Sequence, residues 1–203
     1  MTVVLVAPDP EPAAEECAQW WVDELEGRGH DVYLVAPSQT NVRAIHHVAT
    51  QGGTADTVQA IADAMEGVPA PILLLEAAAF GSVVTVEEVA SGVGTKVLAS
   101  AWTSRGDTGS SPREAPLRVI AGVVMGAGSA VHAMSQPTDA GAGLLRVDGA
   151  DAEAVAGALR VMADVASENQ WHGTAWPLTV VAAVRAGVTV RTVRAPGFPW
   201  GQL

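Results

Sequence analysis

The sequence has one cysteine, Cys17, so an internal disulfide and a cysteine-rich zinc site are both excluded. It is also poor in bases, with 11 Lys and Arg against 22 Asp and Glu, for a formal net charge of -11. No basic cluster offsets the acids, and such a surface repels phosphate backbones and anionic membrane; nucleic-acid binding and membrane binding are not expected. No apolar run approaches the length of a membrane span. The N-terminal MTVVLVA lacks a basic leader, so a signal peptide is not expected and the reading is cytoplasmic. Missing too are HExxH, CxxC, a P-loop, an EF-hand and a Ser-His-Asp nucleophile motif. No internal repeat or low-complexity tract is evident.

What is present is a core. Hydrophobic residues make up 49% of the 203 positions, enough for a sizeable single domain spanning residues 1–203. The organising stretch is Pro71–Phe80, PILLLEAAAF: a buried-type apolar run, Ile72–Leu75, then Glu76, then small residues. A strand of that kind belongs in the middle of a nucleotide-handling α/β sheet.

Around it, Thr2–Ala7 reads as the first strand, stopped by Pro8, Pro10 and Pro12. A helix over Ala13–Glu26 follows, with acids in its early turns and Cys17, Trp20, Trp21 and Leu25 as apolar candidates. Val32–Ala36 is the second strand and completes a βαβ unit. Ala44–Ala49 is a short apolar segment interrupted by His46 and His47. Val58, Ile61, Ala62 and Met65 recur at helical spacing and predict a helix over Thr54–Met65. Val84–Val89 predicts a short helix and Lys96–Ala101 a strand.

Thr103–Pro116, TSRGDTGSSPREAP, is polar and aperiodic, and reads as a loop. Leu117–Met125, Ala130–Met134 and Gly143–Val147 read as strands whose spacing suits antiparallel pairing. Helices are expected over Ala152–Val165, with Asp151 as N-cap, and over Ala175–Val184, with Pro177 in the first turn. Val188–Val193 is the closing strand. The pattern predicts a Rossmann-like three-layer α/β sandwich with a mainly parallel sheet and a mixed edge.

Four stretches carry a family resemblance: Cys17–Pro37, Thr57–Ala79, Gly122–Asp151 and Pro177–Trp200. Together they resemble the nucleotidyltransferase-like domain at the N-terminus of actinobacterial CDP-alcohol phosphatidyltransferase proteins, whose parent fold is that of the sugar-phosphate nucleotidyltransferases. The resemblance implies a glycine-rich, basic triphosphate loop after strand one. Here that place reads APDPEPAAEE, Ala7–Glu16, where prolines remove N–H donors and acids repel phosphate. It also implies a Mg²⁺-holding Asp after the central strand. Ala78 falls near that position, and Glu76, two residues earlier, is the metal candidate from a shifted register.

The remaining candidates are weighed by type. His46 and His47 point to opposite faces of a regular strand and so do not chelate one metal there; surface positions or acid–base work by one of them are the readings. His132 and Ser135, with Ser129, Thr138 and Asp139, lie near glycine turns that either form a ligand pocket or simply close a hairpin. Arg105 and Arg113 lie in the long central loop, either on a lid that brings a cation to an anionic ligand or in solvent. Trp171 and Trp176 either wall a pocket or seal the core.

Three functions follow as expectations. The first is a divergent, non-catalytic nucleotidyltransferase-like domain that binds a small phosphorylated metabolite or a protein partner. The second is an active Mg²⁺-dependent cytidylyltransferase acting on a polyol or sugar phosphate, with Mg²⁺ at Glu76, the substrate near His132 and Ser135, and Arg105 or Arg113 facing phosphate. The third is a structural subunit that associates through its tryptophans, with another protein or with itself.

Overall fold

The structure is a computed structural model that describes residues 1–7, 11–101, 115–128, 136–169, 175–194 and 201–202. The β-branched, apolar run TVVLV forms β1, Thr2–Val6, all five residues buried. Alternate residues of β1 enter different cores: Val3 and Leu5 join one, Val4 and Val6 the other. This period of two fixes the sheet between two helical layers. On the Val3/Leu5 side lie α1 (Pro12–Gly27), which buries Ala18, Trp21, Val22 and Leu25, and α3 (Val83–Ala90), capped by Ser82 Oγ accepting from Val84 N. On the other side lie α2 (Thr54–Met65), α4 (Gly149–Glu168) and α5 (Trp176–Arg185). The three-layer α/β sandwich is therefore as the patterning predicts.

The main sheet also contains β2 (Asp31–Pro37), β3 (His46–Thr50), β4 (Ile72–Glu76), β6 (Lys96–Ala101), β7 (Ala115–Ile120), β8 (Val123–Ala127), β9 (Asp139–Val147) and β10 (Arg191–Arg194). Between β4 and α3 lies the short strand β5, Ala79–Phe80. The order is β3-β2-β1-β4-β9-β6-β10-β8-β7. β1 to β4 are parallel, and β9 runs antiparallel to both β4 and β6, so β6 and β10 share the direction of β1 to β4. The mixed part of the sheet comprises the β7–β8 hairpin and reaches inward through β9. β9 lies along β6 for most of its length; β4 takes its second half at Leu144–Val147, and β7 takes Asp139–Gly141.

Three details differ from expectation. Leu117–Met125, read as one strand, is a hairpin that turns at Ala121 and Gly122, with φ of 50° and 77°. Two successive positive φ values in a two-residue loop match the right-handed twist of the strands. The apolar run hid the turn, because alanine is not a turn signal. Substituting exposed Ala121 with Asn, which tolerates the left-handed region, is expected to raise stability by about 1 kcal/mol. Thermal unfolding should register roughly 2–4 °C; a fall in Tm counts against the turn geometry. Second, Asp148, not Asp151, occupies the N-cap position of α4, and its side chain makes no cap bond. Asp151 lies inside the first turn and accepts from Thr95 Oγ1 at 2.6 Å. Third, the closing strand begins at Arg191 rather than Val188. The expected strand Ala130–Met134 lies outside the described residues.

Candidate functional site

β1 and β4 are neighbours whose onward connections diverge: α1 carries the chain outward to β2, and β5 and α3 carry it the other way to β6. In an open α/β sheet such a divergence, at the carboxyl ends of the strands, is the usual ligand position. Val6 and Glu76 sit opposite each other at this point. Ala77 N continues the ladder to Val6 O at 2.9 Å. Trp21 Nε1 donates to Ala79 O at 2.8 Å and holds the turn after β4 against α1. Glu76 is 1% exposed and engaged within the protein, and Ala77 and Ala78 beyond it are buried as well.

The resemblance requires Mg²⁺ near this position. Among the described residues no group of three His, Cys, Asp or Glu side chains stands close enough to hold a metal ion. Mg²⁺ also retains several waters, and a carboxylate buried like Glu76 leaves them little room. The described residues thus place the acid at the right end of the right strand without assembling a metal centre around it.

The start of the first helix is lined with acids. Residues 8–10 lie outside the description; from Glu11 onward α1 begins with Pro12, and Glu15 is in its first turn. Glu15 Oε1 accepts from Thr40 Oγ1 and from Asn41 N, and Oε2 from Asn41 Nδ2, each at 2.9 Å. The Asn41 side chain first, then the Asn41 N–H and the Thr40 hydroxyl, hold the Glu15 carboxyl below the usual carboxylate range. Beside it is a pocket of about 270 Å³ lined by Pro12, Glu15, Glu16, Gln19, Asn41 and Val42. Two of the residues on its wall, Glu15 and Glu16, are acids, which makes it unfavourable for an anion.

The other side of the carboxyl-end face carries a cation. Asp139, the first residue of β9, lies opposite Ala101 of β6 and Leu117 of β7. Its Oδ1 accepts from Nη1 of Arg194, the last residue of β10. Its Oδ2 accepts from Thr138 Oγ1 at 2.8 Å, and that hydroxyl accepts from Val119 N at 2.9 Å. The chain joins β7, β9 and β10 at one end of the sheet. Thr138 and Asp139 belong to the polar group the sequence singles out; Arg194 was missed, and its only signal was a charge closing the β-rich run VTVRTVR.

Arg105, Arg113, His132 and Ser135 lie outside the described residues, as does Trp171. The described ends of their segments converge nonetheless. Ala101 and Ala115 both flank the start of β9, opposite Asp139 and Gly141. Gly128 N bonds Pro116 O, and Thr138 N bonds Leu117 O, each at 2.8 Å.

The histidine pair belongs elsewhere. His46 opens edge strand β3, is exposed, and stacks on Tyr33 with ring centroids 4.5 Å apart; His47 Nε2 lies 3.2 Å from Ala36 O. Both take the surface reading. Trp176 takes the sealing role, fully buried with Nε1 donating to Leu74 O at 3.1 Å. Cys17 is a half-buried helix position whose thiol pKa is pushed up by burial, which leaves it a poor nucleophile.

No protein-family model and no curated protein matches the chain. Solved structures do. The chain is similar to the inositol-1-phosphate CTP transferase from T. maritima at 12% identity and a TM-score of 0.67, covering 100% of this chain and 88% of that one. It is similar to the CTP:phosphocholine cytidylyltransferase from Streptococcus pneumoniae at 10% identity and 0.63, covering 100% and 92%. A nucleoside-diphosphate-sugar pyrophosphorylase from Vibrio cholerae matches at 10% identity and 0.56, covering 96% and 92%. At these identities the likeness establishes the fold: this is the nucleotidyltransferase α/β fold, with a mixed sheet flanked by helices. No described helix is long and apolar enough to cross a membrane.

Proposed function

We propose that this chain binds a nucleotide or another small phosphorylated metabolite at the carboxyl ends of β1, β4, β6 and β10. The observation that carries the reading is the divergence of the sheet between β1 and β4, where Val6 faces Glu76, in a fold shared along the full chain with CTP-using transferases. Arg194, paired with Asp139, places an exposed guanidinium at this face of a protein of net charge -11, which a phosphate otherwise avoids. The finer likeness, to the domain that precedes the membrane segment in actinobacterial CDP-alcohol phosphatidyltransferase proteins, belongs to this same reading.

A second reading, active Mg²⁺-dependent cytidylyl transfer to a polyol or sugar phosphate, is favoured by the fold neighbours. In it Glu76 is the metal ligand, His132 and Ser135 contact the substrate, and Arg105 or Arg113 meets phosphate. When bound, Mg²⁺ would supply charge stabilisation at the transferring phosphoryl group. The chain's own contribution would be to orient the acceptor phosphate and to exclude water from it. Glu76 would have to become accessible, since it is 1% exposed.

Thermal shift separates the readings, with CTP, other nucleotides and polyol phosphates tested with and without Mg²⁺ on the wild type and Glu76→Gln. At a hundredfold excess over Kd, binding stabilises by about 2.7 kcal/mol, roughly 5–10 °C for a chain of this size. A shift independent of Mg²⁺ supports binding alone. A Mg²⁺-dependent shift with CTP that is lost in Glu76→Gln supports the transferase. No shift with any ligand sinks both and favours a protein-partner role, with half-exposed Trp20 as the first surface to alter.

A further inference from the structure

Arg194 stands out among the charged side chains at the carboxyl-end face. Among the described residues its partner is Asp139, and 64% of the side chain is exposed, whereas Asp139 is 4% exposed. The pair is thus asymmetric: a carboxylate sunk in the sheet end and a guanidinium that covers it from solvent. The carboxylate is itself fixed from behind. Val119 N donates to Thr138 Oγ1, and with that acceptor site filled the hydroxyl proton goes to Asp139 Oδ2 at 2.8 Å, nearer than Leu117 O at 3.4 Å. β7 and β9 therefore determine where Oδ1 points, and Oδ1 determines where Nη1 lies.

A guanidinium has five N–H donors in one plane, and one carboxylate oxygen engages only part of them. An arginine whose plane is held from one side while the rest faces solvent is preorganised for a second anion, because little side-chain freedom remains to be lost. Neutralising a buried Asp139 needs only a positive charge. It does not by itself need a planar fork at the face where ligands of this fold enter.

We propose that the Arg194 guanidinium, oriented by Asp139 and Thr138, is the group that receives the phosphate of the ligand bound at this face. The inference rests on the phosphorylated-ligand reading above and names the residue that reads the phosphate. Arg194 is then a binding residue, and Asp139 and Thr138 are positioning residues that act through it.

The test compares CMP, CTP and cytidine by calorimetry on the wild type, Arg194→Gln and Arg194→Lys. Cytidine shares the base and sugar of CMP and lacks the phosphate, so the ratio of the two affinities isolates the phosphate contact. The wild type is expected to prefer CMP, Arg194→Gln to lose about tenfold of that preference with cytidine binding unchanged, and Arg194→Lys to retain part of it, since lysine keeps the charge but not the fork. If Arg194→Gln is not folded, Arg194→Lys, which keeps a counter-charge on Asp139, carries the comparison. A folded Arg194 variant that discriminates CMP from cytidine as the wild type does overturns the inference and leaves the binding reading standing. A wild type that binds none of the three overturns the inference by removing the nucleotide reading beneath it.

Discussion

Arg146→Met is expected to lower stability by about 2–3 kcal/mol, the range for losing charge-assisted hydrogen bonds from a buried guanidinium. Arg146 is 3% exposed in β9, and its guanidinium makes four hydrogen bonds. Nε donates to Ala90 O at 3.0 Å, Nη2 to Gly92 O at 2.9 Å, and Nη1 to Gly94 O and, at 3.2 Å, to Asp148 Oδ2. The three carbonyls come from the last residue of α3 and the turn after it, where Gly92 and Gly94 take φ of 81° and 82°, values open to glycine. Methionine matches the length of the side chain and none of its donors, so the three carbonyls lose their charged partner. Arg146 lies opposite Leu73 and Lys96, at the amino ends of β4 and β6, on the far side of the sheet from the ligand face. Chemical denaturation should therefore show a large loss while the affinity of the folded protein for any ligand is unchanged; a loss below about 1 kcal/mol would refute the clamp.

The same network has a pH signature. The Gly94 N–H, at 2.7 Å, and then the Arg146 guanidinium hold the Asp148 carboxyl below its ordinary value of 3.8. A carboxyl depressed in the folded state contributes stability above its unfolded value, and that contribution is lost as pH falls through the lower folded value. In Arg146→Met the guanidinium part disappears, so the acid-side loss of stability below about pH 4 becomes shallower than in the wild type.

The second large effect is at Trp176. Trp176→Ala is expected to cost about 3–5 kcal/mol, through the cavity it leaves and the loss of a partner for Leu74 O. The packing is tight enough to make a sharper test. A Cβ at Gly141 would fall 3.2 Å from Trp176 Cη2 and 3.1 Å from the Ala115 Cβ. Gly141→Ala in the wild type should therefore cost about 1–3 kcal/mol by overpacking. With Trp176→Phe, the smaller ring makes room for the methyl, and the two substitutions should cost less together than the sum of each alone. Additive behaviour in a double-mutant cycle would mean that the ring and the β9 backbone are not in contact. Because Gly141 lies two residues from Asp139 on the same strand, this contact also supports the wall that carries Arg194.

Much of the architecture was legible because local patterns and tertiary roles agree. In α2, Val58, Ile61, Ala62 and Met65 recur at helical spacing, and the helix runs over Thr54–Met65 as that spacing predicts. Ile72–Leu75 is too apolar to face water on either side, and β4 is buried throughout at the centre of the sheet. The Leu117–Met125 turn was not legible, because Ala121 adopts a positive φ only when the paired strands impose it. Asp151 failed as a cap for a related reason: Thr95, far away in sequence, competes for its carboxylate.

The candidate site was legible in outline and not in detail. Glu76 stands at the carboxyl end of a central strand, where the sequence places it, but nothing local reveals that Ala77, Ala78 and the Trp21–Ala79 hydrogen bond would bury it. The sequence by itself determined the order and type of most elements, the acid-lined start of α1 and the place of Glu76. These depend on periodicity, chain breakers and charge within a few residues. Only the tertiary structure decided that Arg194 would meet Asp139, 55 positions away, and that Arg146 would hold the turn after α3. Pairings of that kind depend on which strands become neighbours: β9 enters the sheet antiparallel between β4 and β6, and no short-range signal in Asp139–Val147 specifies those partners.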